Sequence, residues 1–161
     1  MQMPQALSDA ALAAASKEAR AIGVPMNVAI MDVGANLKAF LRMDGALLGS
    51  LDIALKKART AALFAMNTEA IGEFCKPGGT SPGLDATNGG LVVFAGGIPL
   101  HDAGGIFLGA IGVSGGSVSQ DFQVAAAAVE AARSAQTEGE TEWQIIPSGG
   151  QHPAVLSSEQ S

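Results

Sequence analysis

The sequence predicts one α/β (α+β) domain whose elements follow the order α-β-β-α-β-β-β-α. Three long stretches repeat apolar residues at the three- and four-residue spacing of amphipathic helices. Five short apolar runs are divided by glycine-containing turns, which is typical of strands in an antiparallel sheet. A chain of 161 residues, 48% of them hydrophobic, fills one core of ordinary size and leaves no room for a second domain.

The first helix is expected to begin at Ser8, because serine followed by aspartate is a favourable helix start. Apolar residues then recur with helical spacing from Leu12 to Ile22. Gly23 and Pro25 end the pattern, so the helix is expected to stop there.

A β-hairpin and a second helix follow. The apolar runs Met26–Val33 and Leu37–Met43 are separated by the turn residues 34–36, which predicts two paired strands. The segment Leu48–Met66 carries Leu51, Leu55, Ala58 and Ala62 on one stripe, which predicts an amphipathic helix.

The second half is expected to contain a long loop, three strands and a last helix. Residues Cys75–Gly90 are rich in glycine and proline, which favours a loop, and long loops in compact domains are often functional. The three strands are predicted at Leu91–Ala95, Ile98–His101 and Ile106–Ser114. Ser117 and Gln120 have the spacing of a capping box and predict the start of the last helix.

Two regions are distinguished along the chain. Residues 1–136 form the predicted domain, and residues 137–161 form an acidic C-terminal tail in which the helical periodicity is lost. Four glutamates lie in this tail and no lysine or arginine follows Arg133, so the tail carries most of the formal charge of −6.

Composition excludes several classes of protein. The acidic balance argues against nucleic-acid binding, which requires an extended basic face. No apolar run approaches the length of a membrane span, so no membrane partner is expected. Cys75 is the only cysteine, which excludes an intrachain disulfide, and a cytoplasmic location is expected because no secretory signal is evident. The large apolar fraction favours a homo-oligomer.

Five short motifs, taken together, resemble the GlcG/HbpS family. They are Ile30-Met31-Asp32, Leu41-Arg42-Met43-Asp44-Gly45, Lys57-Ala58-Arg59-Thr60-Ala61, Gly96-Gly97-Ile98-Pro99 and the run from Gly109 to Gly116, which Gln120-Asp121 follows. The similarity covers about residues 7–135 and extends to the C-terminal domain of PduO-type cobalamin adenosyltransferases. It implies a profilin-like fold, a five-stranded antiparallel sheet flanked by helices, and a symmetric oligomer.

The resemblance implies several functions, among which the fold does not select. The family includes haem-binding proteins and proteins encoded among glycolate and aromatic-degradation enzymes. Its haem-binding members are thought to use a histidine from the first helix region, and this sequence has no histidine before His101. Haem or iron binding is therefore an alternative that this sequence disfavours, and the cofactor stays open.

The candidate site lies where the second strand meets the second helix. Arg42 and Asp44 follow that strand, and Lys57 and Thr60 share one face of the helix, whereas Arg59 shares another face with Lys56. If Lys57 faces inward it must meet Asp44, Asp32 or a ligand carboxylate, because an unpaired buried ammonium is costly. We therefore place Arg42, Lys57 and Thr60 in a pocket and assign Arg59 to a subunit contact or an ion pair.

The glycine-rich loop completes the predicted pocket. Thr87 and Asn88 offer neutral hydrogen-bonding groups, and Gly89 and Gly90 allow backbone amides to approach a ligand. Turn chemistry alone also explains these four residues.

Three interpretations of this constellation stay open. In the first, Arg42 and Lys57 bind a small organic anion, and the protein is an accessory of a catabolic pathway. In the second, Asp44 and Lys57 are catalytic in an isomerase, tautomerase or lyase that removes a proton alpha to a carbonyl. In the third, Lys57 and an aspartate form a buried pair that only stabilises the fold.

Other polar residues predict no site. Asp121 is expected to be a first-turn acid that complements the dipole of the last helix. His101 and His152 are too far apart in sequence to form a recognisable metal motif, so no metal site is predicted.

Overall fold

A four-stranded antiparallel sheet lies between two layers of helices. The structure, a computed structural model, describes residues 3–139, with side chains described through residue 136. The helices are α1 (Gln5–Ala21), α2 (Gly49–Phe64), α3 (Thr68–Cys75) and α4 (Val118–Gly139). The strands are β1 (Asn27–Asp32), β2 (Leu37–Arg42), β3 (Gly97–His101) and β4 (Phe107–Ser114), in the spatial order β2-β1-β4-β3.

The two faces of the sheet bury different cores. Strand β1 alternates its side chains, so Val28 and Ile30, together with Met26 just before the strand, pack against α1 and α4, whereas Ala29 and Met31 pack against α2. The α2 side is built from alanines and permits close approach of the helix. A Cβ atom at Gly112 of β4 would lie 2.2 Å from the backbone oxygen of Ala54 in α2, so only glycine fits there.

The α+β class is confirmed, but the predicted strand at Leu91–Ala95 is wrong. Its backbone bonds elsewhere, since Leu91 N donates to Asp85 O at 2.8 Å and Val92 N donates to the hydroxyl of Thr60 at 3.1 Å. This segment therefore lies along the loop and α2, and residues 3–139 contain four strands in the order α-β-β-α-α-β-β-α.

Helix α3 is an element that the sequence did not predict. Its two turns follow Asn67, and the buried Thr68 fixes it to the sheet because its hydroxyl donates to Phe94 O at 2.7 Å and accepts from Gly97 N at 3.0 Å. A helix this short has too few residues for a recognisable hydrophobic period.

The start of α1 differs from the prediction, whereas the start of α4 agrees with it. Helix α1 begins at Gln5 after Pro4, and Ser8 lies inside it, where its hydroxyl donates to Gln5 O at 2.8 Å. The capping box of α4 is confirmed, because Ser117 N donates to the Gln120 side chain and Gln120 N donates to the Ser117 hydroxyl. Helix α4 continues to Gly139, three residues past the predicted domain boundary, and residues 140–161 lie outside the described residues.

Candidate functional site

A groove of about 490 Å³ opens between the end of α1 and the end of β2. We call it the arginine groove, because Arg20 of α1 and Arg42 of β2 both line it. The remainder of its lining is mainly apolar or small and includes Ala19, Val24, Pro25, Leu41 and Met43, and Asp44 is the acid at its edge. Its volume lies within the range of small-molecule pockets, roughly 300–1,000 Å³.

The chain builds this groove through the turn that joins α1 to β1. Gly23 has a φ of 69°, in the left-handed region, and its amide donates to Arg20 O at 3.1 Å to close the helix. The chain then enters β1 beside the end of β2, where Met43 N donates to Met26 O at 3.0 Å. The last turn of α1 and the end of an edge strand thereby become the two walls.

Neither guanidinium group of the groove has a partner within the part of the chain that the structure describes. Within residues 3–139, Arg20 and Arg42 make no ion pair and no side-chain hydrogen bond, and both are exposed. Asp44 is exposed and is likewise in no ion pair across that range. The groove therefore carries two cations and one anion, a net positive charge in a domain that is otherwise slightly acidic.

Lys57 is the most deeply buried charged residue of the described chain. Its side chain is fully buried, and Nζ donates to Asp121 Oδ2 at 2.7 Å and to Val113 O at 3.0 Å. The ammonium also lies 4.7 Å from the centre of the Phe94 ring, a cation–π distance. Burial lowers the pKa of Lys57 from its usual value of 10.5, and the bond and charge of Asp121 oppose that shift.

Asp121 is the partner that the sequence did not identify. The prediction of Asp44, Asp32 or a ligand as the counter-charge of Lys57 was wrong, because Asp121 Oδ2 occupies that position. Its other oxygen, Oδ1, accepts from Gly115 N at 3.1 Å and Gly116 N at 2.9 Å. One carboxylate thus fastens α2, the end of β4 and the start of α4, a role that exceeds that of a first-turn acid.

Thr60 and the loop residues form a second structural group. The Thr60 hydroxyl is buried and accepts from Val92 N. Arg59 Nη1 donates to Asn88 O at 2.7 Å, so Arg59 holds the loop within its own chain. Asn88, Gly89 and Gly90 have φ values of 54°, 75° and 95°, so this turn is a run of left-handed residues.

The structure therefore separates the residues that were predicted to share one pocket. Arg42 and Asp44 line the arginine groove, but Lys57 and Thr60 do not, and the loop residues Thr87, Asn88, Gly89 and Gly90 do not either. Sequence reasoning missed Arg20. Its position three residues before the helix-ending Gly23 was the available signal, since the last turn of a helix lies beside the strand that follows.

The remaining candidates lie apart from the arginine groove. Cys75 lines a second groove of about 440 Å³ beside α3, together with Glu69 and Phe94. His101 stacks edge-on against Phe107 at the opposite end of the sheet. Across residues 3–139, no group of three or more histidine, cysteine or acidic side chains is placed to hold a metal ion, and no helix is long and apolar enough to cross a membrane.

Comparison with known proteins identifies a family and several similar proteins. Residues 3–130 match a family described as haem degrading protein HbpS-like. The chain is 38% identical over 138 residues to an uncharacterised 15.0 kDa protein of the dhaT-dhaS intergenic region of Citrobacter freundii, a match that covers 81% of this chain and 96% of the relative.

Two further similarities involve PduO. The chain is 38% identical over 119 residues to the corrinoid adenosyltransferase PduO of Salmonella typhimurium, covering 73% of this chain and 35% of that protein. It also superposes on the solved complex of PduOC with haem, with a TM-score of 0.77 and 34% identity over 81% of this chain and 95% of the other.

Proposed function

Because this chain belongs to the HbpS-like family, we propose that it is a small-molecule-binding protein that holds an organic anion in the arginine groove. One observation carries the proposal. Two guanidinium groups without partners among residues 3–139 line a single, largely apolar groove. A guanidinium group that has no partner in the described part of the chain is available to an anionic ligand.

The chemistry of the lining selects the ligand class. Guanidinium groups bind carboxylates through two parallel hydrogen bonds, which are stronger than bonds between neutral groups. The apolar residues Val24, Leu41 and Met43 favour a hydrocarbon body over a fully hydrated inorganic ion. An organic carboxylate satisfies both parts of the groove.

The other predicted site residues have a supporting role in this proposal. Lys57 already has a counter-ion in Asp121, so it is not assigned to the ligand. Thr60 fixes Val92, and Asn88 is held by Arg59, so the loop from Thr87 to Gly90 is assigned to the scaffold.

Binding is tested with hexanoate, a simple organic carboxylate, by isothermal titration calorimetry. The variant Arg42→Gln removes one guanidinium and is expected to weaken hexanoate binding at least tenfold. Lys38→Gln is the matched control, because Lys38 is an exposed cation on the same strand that does not line the groove. Equal losses in both variants would show that only overall charge matters, and the groove would not be the site.

Haem is a second candidate, which the PduOC complex with haem favours. The guanidinium groups of the groove suit the propionates of haem, but residues 3–139 contribute no histidine or cysteine to its lining that could ligate iron. His101, the one histidine among residues 3–139, lies at the far end of the sheet. The described side chains of the groove can therefore bind the carboxylates of haem, but they offer no ligand for its iron. Titration with haemin tests this candidate, and a Soret shift that His101→Ala removes would assign iron ligation to His101 instead.

Catalysis is a third candidate, which the position of Asp44 favours. Its carboxylate and Arg42 line one groove, an arrangement in which an aspartate removes a proton alpha to a carbonyl and a cation stabilises the enolate. Lys57 takes no part in this mechanism because its ammonium group is already bonded to Asp121. Exchange of the alpha protons of oxo acids in heavy water, lost in Asp44→Asn, would establish turnover.

A homo-oligomer and an accessory role in a catabolic pathway complete the proposal. Leu47 and Leu48, exposed by 64% and 77% in the described chain, support association through the start of α2. Native mass spectrometry tests association and any co-purified ligand together, and a mass of one chain would contradict the oligomer.

A further inference from the structure

The arginine groove contains two guanidinium groups that have no ion-pair partner among residues 3–139, whereas one carboxylate makes a bidentate bond with only one of them. Arg20 and Arg42 come from different elements and line the same groove. A monocarboxylate makes the bidentate bond with one guanidinium and leaves the other without a bidentate partner, because Asp44, which lines the same groove, makes no ion pair with it in the described chain. Because the two guanidinium groups carry the same charge, a ligand with two carboxylates gives each of them a counter-ion of its own.

From this we propose, on the basis of the anion-binding function above, that the natural ligand is a dicarboxylate with an apolar body. One carboxylate binds Arg20 and the other binds Arg42. The apolar body lies over the lining formed by Val24, Leu41 and Met43.

Asp44 limits the affinity of this site. Its carboxylate is the one acid that residues 3–139 contribute to the lining, and it repels a dianion more strongly than a monoanion. Removal of that charge in Asp44→Asn is therefore expected to strengthen dianion binding, and to do so more at low ionic strength than at high.

Adipate and hexanoate test the proposal, because they have the same carbon skeleton length and differ by one carboxylate. By calorimetry at fixed ionic strength, the unmodified chain is expected to bind adipate between about 10-fold and 100-fold more tightly than hexanoate, as one added charge-assisted contact predicts. Arg20→Gln and Arg42→Gln should each abolish this preference. Lys17→Gln on α1 and Lys38→Gln on β2 should keep it, because both lysines are exposed and neither lines the groove.

The outcomes separate this inference from the proposed function. Equal affinities for adipate and hexanoate, both lost in Arg42→Gln, would overturn the dicarboxylate assignment and leave anion binding intact. No binding of either probe would overturn both. A preference for adipate that survives in Arg20→Gln would also overturn the assignment, since the second carboxylate would then bind elsewhere.

Two carboxylates joined by an apolar body occur both in aliphatic diacids and in tetrapyrroles that carry two propionates. Competition between haemin and adipate distinguishes these sources once the adipate preference is established. Displacement of adipate by haemin at lower concentration would indicate a tetrapyrrole, and retention of adipate would indicate a small aliphatic diacid.

Discussion

Replacement of Lys57 by methionine is expected to destabilise the fold and to leave ligand binding unchanged. The ammonium and the Asp121 carboxylate are 2.7 Å apart, and their side chains are exposed by 0% and 4%. Methionine fills nearly the same volume, so the main cost is the buried carboxylate that loses its counter-ion. Removal of one partner from such a pair costs about 3–5 kcal/mol.

In Lys57→Met, Asp121 keeps two backbone hydrogen-bond donors. The expected loss in the free energy of unfolding therefore lies near the lower end of the range of about 3–5 kcal/mol. Gly115 N and Gly116 N still donate to Oδ1 after the lysine is gone. A loss of about 3 kcal/mol lowers the urea midpoint by about 1.5 M at an m-value of about 2 kcal/mol/M, with the m-value unchanged. Circular dichroism during urea denaturation measures this shift.

Two further variants make this prediction specific. Lys56→Met removes an exposed ion pair with Asp52 on the same helix, at a similar distance of 2.9 Å, and should cost less than about 0.5 kcal/mol. Combining Lys57→Met with Asp121→Asn removes both buried charges, so the double variant should lose less than the sum of the single losses. Unchanged stability with loss of hexanoate binding in Lys57→Met would refute this account and make Lys57 a ligand-binding residue.

Three other substitutions test the fold and its pH dependence. Hydrogen bonds to the Asp32 carboxylate lower its pKa below the usual 3.8, and the bond from Asn36 N has the largest effect. The ionised carboxylate therefore stabilises the fold above pH 3.8, and this stabilisation is lost as the pH falls through the lowered pKa. In Asp32→Asn, the free energy of unfolding measured by denaturant titration should therefore fall less steeply as the pH is lowered. An unchanged dependence on acid pH would contradict a stabilising role for the Asp32 carboxylate. Gly112→Ala should cost more than about 2 kcal/mol because its Cβ meets the α2 backbone, and a thermal midpoint equal to that of the unmodified chain would show that α2 moves freely. Thr68→Val leaves Gly97 N without its acceptor and should cost about 1–3 kcal/mol in the same urea assay, whereas a cost near zero would mean that water replaces the hydroxyl.

The sequence was informative wherever a pattern repeats over many residues. Helices α1, α2 and α4 and the hairpin of β1 and β2 follow from hydrophobic spacing, and the capping box at Ser117 marks a boundary to within one residue. The segment Leu91–Ala95 shows the limit of this reasoning. Its apolar run looks like a strand, but its backbone bonds to Thr60 and Asp85, and such long-range partners leave no local pattern.

The candidate site was only partly predictable for the same reason. Helical phase predicted that Lys57 and Thr60 share one face of α2, and both side chains are buried. Asp121 lies 64 residues from Lys57, so only the packing of α4 against the end of β4 brings the two together. Arg20 and Arg42 line one groove because α1 ends beside an edge strand, and the only local signal for this is the position of Arg20 just before the helix-ending Gly23.

Mapping of the bound anion by nuclear magnetic resonance is the most direct test of the proposed function. Hexanoate is added to ¹⁵N-labelled protein, and chemical-shift changes are followed for backbone amides and for the Nε–H groups of Arg20 and Arg42. The proposal predicts saturable changes concentrated at Ala19, Gly23 and the two arginines. Changes concentrated instead at Gly89, Gly90 and the neighbourhood of Lys57, with none at the arginines, would contradict it and place the ligand at the loop.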